Sequence, residues 1–91
     1  MSEGVLRGRA IYLMKPYYPL TDGRRIPQIV YVKVIIDEKG HVISAHAINN
    51  VFDPRFRIEA ENAAKYSTFT PTLKDGIAVK MTGILTYNFA P

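Results

Sequence analysis

The 91-residue sequence predicts an α+β fold. The expected architecture is a two-layer sandwich: a three-stranded antiparallel sheet, made of a hairpin plus a C-terminal edge strand, with one main helix on one face and an extended N-terminal arm. Three observations predict it. Ile29 to Ile36 is a run of β-branched residues leading into the turn Asp37-Glu38-Lys39-Gly40 and a second strand, His41 to about Ile48. Asp53-Pro54 combines a helix N-cap with a proline suited to the first helical position. Ile77 to Phe89 alternates apolar Val79, Met81, Leu85, Tyr87 and Phe89 with polar Lys80, Thr82, Thr86 and Asn88.

In chain order, Met1 to Gly4 falls outside the folded part, as a disordered or added start, and the rest of residues 1–91 reads as one domain. Val5 to Leu13 is an extended segment interrupted by Gly8, Arg7 and Arg9, hence an edge strand or arm. Lys15-Pro16-Tyr17-Tyr18-Pro19 is a stiff, extended corner, because each proline fixes its own φ and pushes its predecessor out of the helical region. Thr21 to Pro27, with Gly23, Arg24 and Arg25, is a polar turn.

If Ile36 faces His41 across the hairpin turn, Val34 meets Ile43, Val32 meets Ala45 and Val30 meets Ala47 on an apolar face. Ile35 with Val42, Lys33 with Ser44 and Tyr31 with His46 then share the mixed face. After Asp53-Pro54, the residues Phe56, Ala60, Ala63, Ala64 and Ser67 recur at helical spacing. This narrow stripe of small side chains lets a helix lie close on the valine face. Thr70-Pro71 is expected to end the helix segment, Asp75-Gly76 to turn, and Ile77 to Phe89 to form one long strand. Gly83, on the apolar side of that strand, is expected to mark a bulge or a close backbone approach.

A hydrophobic fraction of 47% and a charged fraction of 22% fit a soluble domain with a thin core, too small for an enclosed active site. With no cysteine, disulfide and thiol chemistry are excluded. The balance of 12 Lys and Arg against 8 Asp and Glu, a net +4, favours acidic partners such as nucleic acid, membrane surface or acidic peptide. No apolar stretch reaches the roughly 18–20 residues needed to cross a bilayer.

The crossover through the helix places the last strand beside Ile29–Ile36, which becomes central. The last strand then lies at the sheet edge, blunted only by Lys80 and Gly83. Either the N-terminal arm covers that edge, within the chain or in a dimer, or the edge accepts an extended peptide by strand addition.

Taken together, Lys15-Pro16-Tyr17-Tyr18-Pro19, the hairpin Val30 to Ala45, the Ala60/Ala63/Ala64 helix running into Phe69-Thr70-Pro71, and Gly76 with Val79 through Phe89 resemble the C-terminal domain of the TonB energy-transducer family. The resemblance spans Gly4 to Phe89; the order and spacing of the four pieces carry it, not any one of them. The chain departs from the family pattern at Lys15, where a glutamine precedes the corner in other members, and at Pro27-Gln28, where a glycine is usual. It departs again at Gly23, which weakens a short helix, and at Ser67, where some members carry tryptophan.

The resemblance implies a periplasmic, non-enzymatic domain, normally carried on an inner-membrane helix and a proline-rich spacer. Its partner would be the TonB box, a short peptide near the N-terminus of an outer-membrane transporter. The box would add as a strand along Met81, Thr82, Gly83, Ile84, Leu85, Thr86 and Tyr87, with Lys15, Pro16, Tyr17, Tyr18 and Pro19 near the receptor contact. The chain as written has no anchor, so it would reach the inner-membrane motor complex only through a segment it lacks. The net positive charge is expected to form a receptor-facing rim around the Tyr-Pro corner. Five or six backbone hydrogen bonds at about 0.5–1.5 kcal/mol each, set against the cost of association, imply a reversible grip of around micromolar strength.

Two alternatives stay open. Arg7, Arg9, Lys15, Arg24 and Arg25 around Tyr12, Tyr17 and Tyr18 would suit single-stranded nucleic acid. A strand-exchanged homodimer would use the arm or the last strand. No cofactor, metal or catalytic residue is expected. His41 and His46 fall on opposite faces of one strand, Ser44 has no base beside it in the register, and Glu59 and Glu61 diverge around the helix.

Overall fold

A computed structural model describes residues 9–19, 27–51 and 53–90. Three expectations fall outside them in whole or in part: the start at Met1 to Gly4, the first half of the Val5–Leu13 arm, and the turn at Thr21 to Pro27, of which only Pro27 is described. The elements are β1 (Ala10–Tyr12), β2 (Gln28–Ile36), β3 (Val42–Ala47), α1 (Pro54–Lys65), β4 (Thr68–Phe69), β5 (Thr72–Lys74), β6 (Ile77–Val79) and β7 (Met81–Phe89).

The expected α+β sandwich is the one observed. Among the described residues the three-stranded sheet has the order β3-β2-β7, antiparallel throughout, with β2 central and β7 an outer strand. One face of β2 contributes Val30, Val32, Val34 and Ile36 to a core completed by Phe56, Ala60, Ala63 and Ala64 of α1 and by Phe69, Leu85, Tyr87 and Phe89. The small side chains on α1 let it lie across β2 and β3.

The helix begins as its sequence dictates. Asp53 is the N-cap, its Oδ1 accepting from Arg55 N–H at 2.9 Å, and Pro54 occupies the first turn, where no donor is lost. Such a cap contributes about 0.5–2 kcal/mol. The helix ends at Lys65, earlier than Thr70-Pro71, because Thr68–Phe69 leaves it to pair with β1. Ser67 sits fully buried at this exit, where its hydroxyl donates to Ala63 O at 2.8 Å and accepts from Met14 N–H at 3.1 Å. A short side chain there is what lets the N-terminal segment run close against the helix end.

The hairpin register differs from the expected one. Val34 faces Ala45, Lys33 faces His46 and Val32 faces Ala47, two residues out, while Ile36 faces Val42 across an irregularity. The extra residue is Ile43, which the bulge turns to solvent with 54% of its surface exposed, and Val42 takes its place against the core. An even shift preserves the faces, so Val32, Val34, Ala45 and Ala47 still share one side.

The turn itself is built on Asp37. Its Oδ1 accepts from Lys39 N–H at 2.9 Å and from His41 N–H at 2.8 Å. These bonds, first the one from His41, hold the Asp37 carboxyl below its ordinary range, with the nearby charges of His41 and Lys39 adding to them. Gly40 closes the turn at φ +89°, and its carbonyl accepts from Phe69 N–H at 2.9 Å.

Two further corrections concern the C-terminal third. The long strand expected from Ile77 is interrupted at Lys80, and its first part, β6, folds back on β5 across Asp75-Gly76. Both turn residues have positive φ, 52° and 78°, the geometry of a tight two-residue hairpin. Gly83 is buried on the core face as expected of its position, but the β2–β7 ladder runs through it without a bulge.

Candidate functional site

Among the described residues, β7 is an outer strand of the three-stranded sheet. Its residues Gly83, Leu85, Tyr87 and Phe89 turn inward and are buried, whereas Thr82, Ile84 and Asn88 are exposed. The direction of the backbone groups follows from the other side of β2. Tyr31 N–H donates to Asn49 Oδ1 at 2.9 Å, Asn49 Nδ2 donates to Ile29 O at 2.9 Å, and Ile48 N–H donates to Tyr31 O at 2.9 Å. Odd-numbered residues of β2 therefore serve the β3 side, and even-numbered ones serve β7. In the antiparallel ladder this makes Val30–Tyr87, Val32–Leu85 and Val34–Gly83 the bonded pairs, so the backbone groups of Ile84 and Asn88 point away from the sheet.

The opposite edge of the sheet is treated differently. Ala47 of β3, whose amide points outward, donates to Glu61 Oε2 of α1 at 2.7 Å. A helix carboxylate thus caps that edge at Ala47. The two edges are chemically distinct, and β7 is the one without such a helix cap in the described contacts.

At its C-terminal end β7 meets the Tyr-Pro corner. A cleft of about 650 Å³ lies between Leu13–Tyr18 and Thr86–Ala90. That volume falls within the usual range for ligand sites, about 300–1,000 Å³. The corner is pinned by Tyr18, whose hydroxyl donates to Phe89 O at 3.3 Å. Its ring meets Phe56 at 5.9 Å and Phe89 at 5.8 Å edge to face, while Phe56 and Phe89 meet at 5.0 Å. The three rings tie corner, helix and last strand together. Tyr17 by contrast is 77% exposed and Lys15 stands in solvent at the cleft.

Of the residues expected at the site, Lys15, Pro16, Tyr17 and Tyr18 come together with Thr86 and Tyr87. Pro19 and Met81 to Leu85 do not line the cleft; the latter continue the edge strand away from it. Leu13, Met14, Asn88, Phe89 and Ala90 complete the cleft and were not expected. The one sequence signal that touches any of them is the Ile77–Phe89 alternation, which takes in Asn88 and Phe89.

The basic cluster is not assembled among the described residues. Arg9 reaches Pro71 O at 3.4 Å and Thr72 Oγ1 at 3.3 Å, beside β5, and does not line the cleft. Arg7, Arg24 and Arg25 lie outside the described residues, so Lys15 is the one described cation at the cleft. The described part of the arm, β1, pairs with β4 and not with the edge of β7. Whether the arm covers the β7 edge turns on Val5 to Gly8, which lie outside the described residues. His46 faces Lys33 instead of Tyr31, and His41 approaches Asp37 at 4.0 Å in the turn. Among the described residues no group of three His, Cys, Asp or Glu side chains is placed to hold a metal ion, and no helix is long and apolar enough to cross a membrane.

A family model described as the Gram-negative bacterial TonB protein C-terminal matches residues 14–91. No curated protein matches the chain.

Proposed function

The chain belongs to the TonB C-terminal family, whose members are non-catalytic, transport-associated periplasmic domains of Gram-negative bacteria, and from that premise we propose that it binds the TonB box of outer-membrane transporters as an added strand along β7. The observation that carries this reading is the asymmetry of the sheet among the described residues: the outward Ala47 amide of β3 is bonded to Glu61, whereas β7 is the other outer strand and runs directly into the corner cleft. An extended peptide laid on β7 meets the outward backbone groups of Ile84 and Asn88 and finds side-chain space between Tyr17 and Asn88. The grip is weak because backbone bonds exchange with water, and each nets only about 0.5–1.5 kcal/mol.

Pulled along the strand direction, those bonds are loaded together in shear. The joint therefore resists force better than its affinity alone implies, which suits a link that forms and releases repeatedly.

The test is a titration of isotope-labelled protein at about 150 mM salt with an extended peptide from a transporter N-terminus, followed by amide shifts. Shifts confined to β7 and to Lys15–Tyr18 are the expected result. Shifts from a single-stranded oligonucleotide alone, with the peptide silent, would overturn it.

A further inference from the structure

A second, smaller cleft lies on the other side of the corner. It has a volume of about 230 Å³ and is lined by Met14, Pro16, Tyr17, Glu59, Asn62, Ala63 and Tyr66. Glu59, Asn62, Ala63 and Tyr66 stand at i, i+3, i+4 and i+7 and so share one face at the end of the helix. The first three lining residues come from the N-terminal segment, held against that face by the bond from Met14 N–H to Ser67 Oγ. The volume is below the range of small-molecule sites and matches a single long side chain.

The lining specifies what kind of side chain. Glu59 is half-buried, and among the described residues it has no cationic partner; the ion pairs are His41 with Asp37 and Arg55 with Asp53. Tyr17 and Tyr66, 77% and 60% exposed, line the same cleft. Tyr66 already draws a cation, since Lys65 Nζ lies 5.9 Å from its ring centroid. No Lys, Arg or His lines the cleft itself. One carboxylate and two tyrosines lining the cleft together with apolar Met14, Pro16 and Ala63 complement a guanidinium, which stacks on rings while donating to a carboxylate.

We propose that this cleft receives an arginine side chain from the segment flanking the peptide bound at β7, on the end that lies beside Asn88. The two clefts share Met14, Pro16 and Tyr17, so a peptide leaving the β7 edge crosses only the corner to reach Glu59. The inference rests on strand addition at β7 for the route, but not for the chemistry of the cleft.

Two probes separate them. The first is a pair of extended peptides that differ by arginine or its neutral isostere citrulline in the flanking segment, with the substitution tried at each end. At the end beside Asn88 the arginine peptide should bind about tenfold more tightly, with a gain that shrinks at high salt. Glu59→Gln should bring the two peptides to equal affinity. The second probe is N-acetyl-arginine amide alone, read by shifts of the Tyr17 and Tyr66 ring protons that disappear in Glu59→Gln.

If citrulline peptides bind along β7 and arginine at neither end adds affinity or moves those rings, the arginine cleft is refuted and strand addition stands. If no peptide touches β7 but the amide moves both rings through Glu59, the cleft stands and strand addition falls. Ring shifts that persist in Glu59→Gln refute the cleft.

Discussion

The Phe69 carbonyl oxygen occupies the space in which a side chain on Gly40 would begin, while Phe69 N–H donates to the Gly40 carbonyl at 2.9 Å. The hairpin turn and the short strand β4 are thereby joined through backbone alone, and the positive φ of Gly40 adds a second reason for glycine.

Gly40→Ala should therefore destabilise the fold by about 2–4 kcal/mol, since both backbone strain and a collision with main chain must be relieved. Urea unfolding measures it. A change within about 0.5 kcal/mol would mean the turn and β4 separate freely.

The Asp37 carboxyl is held below its ordinary range in the folded state, chiefly by the His41 amide. Its contribution is thus present above the unfolded pKa of about 3.9 and is lost as pH falls through the lower folded value. Urea midpoints measured from pH 7 down to pH 2 should decline below about pH 4, and Asp37→Asn should flatten that decline. An unchanged acid limb in the variant would assign it to other carboxylates.

The corner divides its labour between adjacent tyrosines. Tyr18→Phe loses the bond to Phe89 O but keeps the three-ring cluster, so it should cost about 0.5–1.5 kcal/mol. Tyr17→Ala, at an exposed position, should stay within about 0.5 kcal/mol yet weaken peptide binding. Paired stability and binding measurements check both; equal stability losses would show the corner acting as one packed unit.

Ile84 directs its backbone away from β2, and its side chain is on the exposed face. Ile84→Pro should leave cooperative unfolding intact, because an edge strand tolerates the missing donor, yet lower peptide affinity about tenfold or more. Leu85→Ala, on the buried face of the same strand, should instead cost about 2–5 kcal/mol. Undiminished binding by a folded Ile84→Pro protein would exclude addition at this edge.

How much could be read ahead of the structure depended on the range over which each feature is encoded. The central strand, the Asp53-Pro54 start and the β7 alternation are local patterns, and they appear where expected. The hairpin register is set by the Asp37 carboxylate and the Ile43 bulge, a competition among a few hydrogen bonds that alternation does not report. β4 has two residues and β5 and β6 three each, too short for periodicity to register against tertiary pairing. The cleft depends on Tyr18 reaching Phe89, 71 residues later, a pairing that the alternation through Asn88 and Phe89 does not report.

The carboxylate of Glu61 on the Ala47 amide also bears on the valence of the proposed strand addition. A sheet that accepts strands at both margins can propagate, each added chain offering a new margin to the next. Under the proposed strand addition, the Glu61 bond obstructs the β3 margin at Ala47, and titration calorimetry should count one strand per domain. Glu61→Ala would restore the second valence, and sedimentation velocity should then show concentration-dependent association absent from the parent. If the domain couples load as proposed, it has reason to be monovalent: two strands on one sheet would divide the pull.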